Sequence, residues 1–467
     1  MIKDIIWNTS FDEVYKKVKY YKENKSTPTG LSKKKYLEIH EDIKKFIETK
    51  FNTKIKNDFI YVTGHQPEIF HPGILFKDLL LNKLSIMHNA FPLHLNVDTD
   101  IFEFKYIYPQ IDENILVINK FEYHQDRLFM FEDFNLDKET ELLKILNDQE
   151  IVLKEILSES VYEFALEYIN RIKKLINSKE KFHNISNIIR NNFLINNNMD
   201  IPTIKLSEFI KLDSFQYFVE LISNRNSEFI EMHNTSLRNY RELHKIKNHA
   251  QPIPDMIINE LPFWELNIED GNRTHAKLPF NLSTTYSPRA ITNTMYIRLF
   301  LSDLFIHGRG GARYEAISDG IIENFFGSKS SPYFVASATL HLDNNNNFKT
   351  LNISLNELNV ILRDLNYSPE KFIEPTDNLK IEKTKLQERF KNQNEDKKYL
   401  TQEIQKINEV IKEKIKEKIE YYEKLKENYD QFHKNKESLE NREYPFFYYN
   451  MNELILEVEK LSQLKNN

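Results

Sequence analysis

Cysteine is the one residue type that this chain lacks altogether. None of the 467 residues is a cysteine, which excludes disulfide bridges, a thiol nucleophile, cysteine-ligated zinc and iron–sulfur clusters. The sequence also lacks a run of about 18 apolar residues, the length that a membrane-spanning helix needs. Charged and amide residues interrupt the apolar positions of residues 1–11, which is unlike a signal peptide. Together these absences predict a cytoplasmic protein with no membrane partner.

Several sequence motifs that indicate a particular reaction or ligand are absent as well. The sequence contains no Walker A motif, no G-x-G-x-x-G fingerprint, no G-x-S-x-G elbow and no H-E-x-x-H pair. The spacing of its histidines predicts no metal site. The formal net charge of −6 makes the molecule as a whole a poor match for nucleic acid. The function must therefore be inferred from less standard patterns.

A strand, a loop with glycines, a helix and a second strand follow one another near the start of the chain. Residues 59–63 are β-branched or aromatic, as in a buried strand, and residues 93–97 form a second strand candidate. Between them, residues 74–89 have the apolar spacing of a helix, and Gly64 and Gly73 lie in the loop before it. This βαβ pattern predicts an α/β protein with a parallel sheet.

The length predicts two to four domains, and changes in composition indicate where they begin and end. We expect helices first, then two halves of an α/β core separated by a helical insertion, and a helical C-terminal region. The predicted segments are 1–55 (helical), 56–125 (first half of the core), 126–250 (helical insertion), 251–375 (second half of the core) and 376–467 (coiled coil and terminal helix).

The C-terminal region has the pattern of a coiled coil. Residues 378–440 contain neither glycine nor proline and are rich in Glu and Lys. Between Leu400 and Phe432 the apolar residues recur at steps of three or four, which is typical of a coiled-coil stripe. The stripe can pair between two subunits or fold back within one, and its spacing does not decide which.

The loop that follows the first predicted strand is the first candidate site. A glycine at position 64 lets a ligand approach the backbone, and the N-terminus of the next helix attracts phosphate or carboxylate. His65 and His71 can stabilise charge or transfer protons, and Lys77 lies one turn into the helix. The alternative is that both histidines only bond the local backbone. The expected ligand-binding residues here are Thr63, Gly64, Gln66, Gly73 and Lys77.

Two carboxylates follow the second predicted strand. Asp98 and Asp100 are alternate residues, so in a continuing strand both side chains would face one pocket. There they would bind a substrate amine, a ribose hydroxyl or Mg²⁺. The alternative is a turn in which both side chains cap the backbone. We expect the first, because ligands of α/β sheets bind at the carboxyl ends of the strands.

A third candidate site follows an apolar segment that ends at His307. The glycine-rich sequence after it leads into a predicted helix, an arrangement that forms an anion nest, and its arginines would supply positive charge for phosphate. Arg298, just upstream, belongs either to this site or to the surface. The expected binding residues are His307, Arg309, Gly310, Gly311, Arg313 and Glu315.

In order and spacing, these motifs resemble the cysteine ligases of bacillithiol biosynthesis. The similar segments are residues 63–73, residues 97–103 and the Gly310–Gly311 segment with Glu315. Family members have a Thr-Gly-Gln-Gln loop, an Asp-His-Asp-Phe-like segment, a Gly-Gly…Glu segment and a C-terminal coiled coil. This chain departs from that pattern at His65 and at Arg313, which is consistent with a divergent sister group.

The resemblance implies a Rossmann-like core with helical insertions and dimerisation through the coiled coil. It implies a ligase that joins an amino acid, cysteine in the family, to an amine acceptor such as an amino-sugar conjugate. ATP or ADP with Mg²⁺ is the expected cofactor, and catalysis would fall to His65, His71, Asp98 and Asp100. The alternatives are a nucleotidylyltransferase or synthetase acting on an unrelated metabolite, and a non-catalytic coiled-coil scaffold.

Overall fold

A computed structural model describes residues 2–7, 9–133, 135–281, 283–343, 347–391 and 396–464. Within these ranges the strands are β1 (Ile2–Ile6), β2 (Phe59–His65), β3 (Ala90–Asn96), β4 (Ile101–Asp112), β5 (Ile115–Leu128), β6 (Thr203–Lys205), β7 (Glu260–Leu266), β8 (Arg273–Lys277), β9 (Thr285–Pro288), β10 (Leu304–His307), β11 (Tyr333–Val335) and β12 (Ser337–Leu340).

The helices of the first half are α1 (Phe11–Asn24), α2 (Lys33–Lys50), α3 (Pro72–His88), α4 (Leu136–Ile156), α5 (Glu159–Asn177), α6 (Phe182–Asn196), α7 (Leu206–Phe209), α8 (Asp213–Asn224) and α9 (Asn226–Leu243). Those of the second half are α10 (Ala290–Phe300), α11 (Arg309–Phe326), α12 (Leu355–Tyr367), α13 (Asn378–Phe390), α14 (Lys397–Lys414), α15 (Lys416–Glu427), α16 (Tyr429–Leu439) and α17 (Met451–Gln463).

A five-stranded parallel sheet confirms the predicted α/β class. Its strand order is β11-β10-β2-β3-β6, and every neighbouring pair is parallel. The predicted βαβ unit is its centre, since β2 pairs with β3 along its whole length and α3 connects them. Numbered by their order along the chain, the five strands run 3-2-1-4-5, so the chain leaves β2 towards one edge and later returns to its other side at β10.

Local sequence accounts for the sharp ends of α3. Pro72 occupies the first turn, where its missing N–H costs nothing, and Asn89 ends the helix in the left-handed conformation with φ 51°. The helix is buried on most of its surface, because it packs on the sheet strands β2 and β3 and on α17 and β12. A helix enclosed in this way tolerates few polar groups, and those that it carries need partners.

The strand pairing departs from the predicted segments. The segment 1–55, predicted as helical, begins with β1, which pairs antiparallel with β12. Residues 333–340 divide at Ala336 into β11 and β12, which belong to different sheets. In the predicted second half of the core, β7 joins β8 and β9 in a separate antiparallel sheet. The sheet membership of these strands depends on distant partners.

The predicted helical insertion also contains a strand of the main sheet. Residues 126–250 hold all of α4 to α9 as expected, and β6 lies among them as an edge strand beside β3. Only three residues long, β6 is too short to be recognised from alternation.

The chain divides into two compact units. One contains residues 1–108, 119–343 and 440–467 and holds the parallel sheet. The other contains residues 109–118 and 344–439 and is built mainly of helices. In this second unit the predicted apolar stripe packs within the chain: Ile407, Ile411 and Ile415 are buried in one cluster with Leu358, Leu362 and Leu365 of α12.

The predicted continuous helix over 378–440 is interrupted. Single non-helical residues, Ile415 and Asn428, separate α14 from α15 and α15 from α16. Residues 392–395 of the same stretch lie outside the described ranges. None of the helices in those ranges is long and apolar enough to cross a membrane.

Candidate functional site

The carboxyl ends of β2 and β10 meet at the side chain of Lys77. Its ammonium group donates a hydrogen bond to the Gly64 carbonyl at 2.7 Å, and the side chain is only 3% exposed. On the other side, a Cβ placed on Gly308 would lie 4.0 Å from Lys77 Cδ. Burial lowers the pKa of Lys77 to about 8. One desolvated cation therefore borders both loops.

Both loop histidines after β2 are uncharged at neutral pH. His71 is the N-cap of α3, and its Nδ1 accepts a hydrogen bond from the Gly73 backbone N–H at 3.0 Å. Burial lowers the pKa of His71 to about 3. Burial, reinforced by Lys77, also holds the pKa of His65 well below its usual value. The geometry gives His71 a capping role. His65 has Nδ1 3.2 Å from the Gln66 carbonyl, and its ring packs edge-on against Phe70 with the centroids 5.5 Å apart.

The other small residues of this loop serve close packing. Thr63 is fully buried and its hydroxyl donates to the Ile306 carbonyl at 2.8 Å, which ties β2 to β10. A Cβ on Gly64 would lie 2.6 Å from the Leu95 carbonyl oxygen. A Cβ on Gly73 would lie equally close, 2.6 Å, to the Ala338 carbonyl oxygen. Glycine at both positions is thus explained by backbone approach inside the protein.

The two aspartates after β3 do not share a pocket. Asp98 is buried, and its carboxylate accepts from both the backbone N–H and the hydroxyl of Ser207, at 2.9 and 2.6 Å. Asp100 instead pairs with Arg273 at 2.6 Å and accepts from the Gln66 amide at 3.2 Å. The reason is local: β3 ends at Asn96, so the strand alternation that would align the two side chains does not continue.

Asp98 thereby binds a segment 109 residues away along the chain. Burial raises the pKa of Asp98, although the two hydrogen bonds from Ser207 oppose that shift. Ser207 lies in the first turn of α7, whose free N–H groups need acceptors. The Asp98 carboxylate, which lies outside the helix, accepts a hydrogen bond from one of these N–H groups.

Glu68, in the same loop, is a carboxyl group that the sequence analysis did not select. Burial raises its pKa to about 7, and the positive charges of Lys105 and Lys77 oppose that shift. Such a group changes charge near neutral pH beside the buried lysine. Its position between His65 and His71 was visible in the sequence, but the burial that sets its pKa was not.

A buried chain of charged groups follows β10. His307 Nε2 lies 2.9 Å from one carboxylate oxygen of Glu315, and the other oxygen accepts from Arg298. Arg298 also pairs with Asp319 at 2.7 Å and donates to the Ser331 carbonyl. Arg298 is 1% exposed, so it belongs to the interior beside this site and not to the surface. The predicted residues His307 and Glu315 are thus brought together.

The charges of Glu315 and His307 follow from this chain. Burial acts to raise the pKa of Glu315, but His307 and Arg298 outweigh it, so the pKa is lowered and the group is ionised. Burial lowers the pKa of His307, and the Glu315 carboxylate opposes that shift. At neutral pH the pair is a neutral imidazole beside a carboxylate.

The first two turns of α11 present two cations. Arg309 and Arg313 are exposed, and the described residues give neither of them a partner. Gly308 is the N-cap and supplies no side-chain hydrogen bond, so the helix N–H groups point outward without a cap. Gly310 has open space around it, with nothing within 4 Å of an added Cβ. This segment, at the end of β10, places two exposed cations at the sheet edge.

A buried network behind Lys77 was also missed by sequence reasoning. Asp78 accepts two hydrogen bonds from Arg190, at 2.9 and 2.7 Å, and lies 2.8 Å from His94 Nδ1. The three come from α3, α6 and β3, and no local pattern marks them because Arg190 is 112 residues from Asp78. They hold α3, and with it Lys77, against the sheet.

No protein-family model and no curated protein matches the chain.

Together, these groups are suited to hold an anion beside a neutral base. Lys77, the N-terminus of α11 and its arginines provide positive charge, and the His307–Glu315 pair adjoins them. Among the described residues, no group of three or more His, Asp or Glu side chains is arranged to hold a metal ion.

Proposed function

We propose that this protein is an enzyme with a Rossmann-like core that binds a phosphate-bearing ligand at the junction of β2 and β10. The observation that carries the proposal is the convergence of both loops on Lys77, a buried cation 2.7 Å from the Gly64 carbonyl. The 3-2-1-4-5 order of the sheet supports it, because ligands of open α/β sheets bind where the strand order reverses.

The charge distribution favours an anion at this point. A buried ammonium group has lost its hydration, and an anionic ligand would restore the interactions that water no longer supplies. Arg309 and Arg313 are exposed on the first two turns of α11, where the helix dipole adds positive potential. Phosphate is the ligand group best matched to both arginine and a helix N-terminus.

The reaction we propose is carbon–nitrogen ligation between an amino acid and an amine acceptor such as an amino-sugar conjugate. It rests on the resemblance of residues 63–73, 97–103 and 310–315 to cysteine ligases of bacillithiol synthesis. ATP or ADP with Mg²⁺ would be the phosphate-bearing ligand, with the metal bound through its phosphates. Cysteine as the donor is part of the same proposal.

Calorimetric titration with ATP–Mg²⁺ and with ADP tests the nucleotide site. We expect binding to wild type and a loss of roughly tenfold or more in the Arg309→Ala/Arg313→Ala variant, equivalent to about 1.4 kcal/mol. Arg363→Ala is the control, since Arg363 is exposed in the other compact unit. If neither nucleotide binds wild type, ATP-driven ligation at this site is rejected.

We also propose that the chain forms a homodimer through α14 and α15. Three exposed apolar side chains, Tyr399, Val410 and Tyr421, are spaced by eleven residues, and each is more than half exposed. Eleven residues make just over three turns of helix, so the three lie close to one line along the surface. They differ from the Ile407–Ile411–Ile415 set, which is buried within the unit. A second copy presenting the same line would cover them.

A further inference from the structure

Asn96 carries a buried amide at the end of β3. The residue is 1% exposed, and the described residues give neither Oδ1 nor Nδ2 of its side chain a hydrogen-bond partner. Its backbone is held in place, because the Asn96 carbonyl accepts a hydrogen bond from the Asp98 N–H at 3.1 Å. An unpaired buried polar group lowers the stability of a fold, so native proteins keep few of them. Binding of a ligand is one reason to keep such a group.

The amide of Asn96 lies at the carboxyl edge of the sheet, beside the end of β2. Asn96 and His65 are register partners in the two parallel strands. His94, two residues earlier and therefore on the same face of β3, contacts Asp78 of α3, so the Asn96 side chain also faces α3. Lys77, the residue before Asp78, borders the end of β2. The amide is therefore about one strand spacing, roughly 4.8 Å, further along the sheet than the strand that the buried cation contacts.

The two unpaired atoms restrict the chemistry of a ligand for Asn96. Oδ1 can only accept a hydrogen bond, and Nδ2 can only donate one. A phosphate or carboxylate would leave Oδ1 without a donor, and an ammonium group would leave Nδ2 without an acceptor. Two neighbouring hydroxyl groups satisfy both atoms, because each hydroxyl both donates and accepts. They do so with the amide in either of its two orientations.

The ribose of a nucleotide supplies such a pair of hydroxyls. Its 2′ and 3′ hydroxyls are vicinal, and they lie closer to the phosphates than the hydrogen-bonding edge of the base does. The proposed phosphate position is at Lys77, between β2 and β10, and β3 is the next strand on the other side of β2. A nucleotide that extends from that position towards β3 therefore brings its ribose to Asn96.

The amide atoms are buried, so a ligand must displace part of the loops that follow the strands. The loops after β2 and β3 are joined by a hydrogen bond from Gln66 Nε2 to Asp100 Oδ2, at 3.2 Å. Both residues are half-buried, so water can replace this contact when it opens.

We propose that Asn96 binds the ribose 2′ and 3′ hydroxyls of the nucleotide, and that the Gln66–Asp100 contact opens to admit them. The inference rests on the proposed nucleotide-binding function. In the complex one hydroxyl donates to Oδ1 and the other accepts from Nδ2. The amide is then satisfied in the complex, whereas in the free protein it lowers stability.

Replacement by leucine, which is similar in shape and has no polar side-chain atom, tests whether the amide is unsatisfied. Asn435 is the matched control: it is also 1% exposed, but its Oδ1 accepts from the Leu116 N–H and its Nδ2 donates to the Lys349 carbonyl. We expect Asn96→Leu to raise the urea midpoint of the ligand-free protein and Asn435→Leu to lower it. A lowered midpoint for Asn96→Leu would mean that ordered water or a protein group satisfies the amide, and would overturn the inference.

Calorimetric titration with ATP–Mg²⁺, 2′-deoxy-ATP–Mg²⁺ and 3′-deoxy-ATP–Mg²⁺ tests the ligand. We expect wild type to bind ATP roughly tenfold more tightly than either analogue, because each analogue leaves one amide atom unpaired. Asn96→Leu should bind ATP more weakly and should bind the three nucleotides equally, whereas Asn435→Leu should keep the wild-type preference. Equal binding of all three to wild type overturns this inference and leaves the nucleotide site in place. Absence of nucleotide binding to wild type overturns the proposed function, and the ribose assignment with it.

The absence of cysteine allows the opening to be tested at a single place. In Gln66→Cys/Asp100→Cys, a short bis-maleimide would hold the two loops together, and the same variant capped with N-ethylmaleimide is the control. We expect ATP–Mg²⁺ to bind the crosslinked protein at least roughly tenfold more weakly than the capped protein. Equal affinity of the two forms would overturn the opening of the Gln66–Asp100 contact.

Discussion

The Lys77 ammonium group lies 2.7 Å from the carbonyl oxygen of Gly64, thirteen residues earlier in the chain. This contact joins the first turns of α3 to the end of β2 and buries a positive charge at the centre of the sheet edge. Burial lowers the pKa of Lys77 to about 8. The free energy of unfolding should therefore depend on pH through this group.

Stability should depend on pH through Lys77. Its pKa rises from about 8 in the folded protein to 10.5 in the unfolded chain, so between these values the unfolded chain binds the proton more strongly. The free energy of unfolding of wild type should therefore increase with pH relative to Lys77→Met, by at most about 1.4 kcal/mol per pH unit. Urea denaturation from pH 7 to 10 measures this. The exposed Lys34→Met variant serves as the control, and parallel curves for wild type and Lys77→Met would contradict the prediction.

Asp98→Ala should weaken the fold without weakening nucleotide binding. The carboxylate accepts two hydrogen bonds from Ser207, and its loss leaves a buried helix N–H without a partner. We expect a decrease of about 1.5–3 kcal/mol in the free energy of unfolding, measured by urea denaturation, and unchanged calorimetric titration with ATP–Mg²⁺. The reverse result, normal stability with lost binding, would restore the catalytic role that the sequence pattern suggested for Asp98.

Substitution by alanine should change the stability of the fold in opposite directions at Gly64 and at Gly310. At 64 the new methyl would meet the Leu95 carbonyl oxygen at 2.6 Å, and a backbone atom of a paired strand cannot move aside easily. We expect Gly64→Ala to lower the free energy of unfolding by about 1–3 kcal/mol. At 310 nothing lies within 4 Å, so the better helix propensity of alanine should stabilise α11 by up to about 1 kcal/mol. Thermal unfolding of the two variants measures both changes in stability. A change of the same sign in both variants would refute the packing argument.

Val410→Glu should dissociate the proposed dimer. Val410 is 54% exposed at the middle of the Tyr399–Val410–Tyr421 line, so a carboxylate there would be desolvated by a partner but not in the monomer. We expect sedimentation velocity to show dimer for wild type and monomer for the variant, with an unchanged circular dichroism spectrum. Glu409→Gln, a neighbouring change of charge, is the control. A monomeric wild type would remove the homodimer from consideration.

The elements at the centre of the site are encoded in local stretches of the chain. β-branched and aromatic residues over 59–63, the glycine-bearing loop, the helix after Pro72 and the strand before Asp98 were sufficient to predict a βαβ unit and a parallel sheet. The loops after β2, β3 and β10 can also be predicted to lie together, because residues after parallel strands lie at the carboxyl edge of their sheet. His307 and Glu315 are predicted from the glycine-rich sequence that leads into a helix.

The role of each side chain at this edge depends on long-range packing. Whether His71 caps a helix or meets a ligand depends on the path of the backbone to Gly73, and the separation of Asp98 from Asp100 depends on where β3 ends. The partners of Arg298 and Arg190 come from distant segments, so no local pattern can indicate that they are buried. The charge states of Lys77, Glu68 and His307 depend on desolvation, which arises only when the chain is packed.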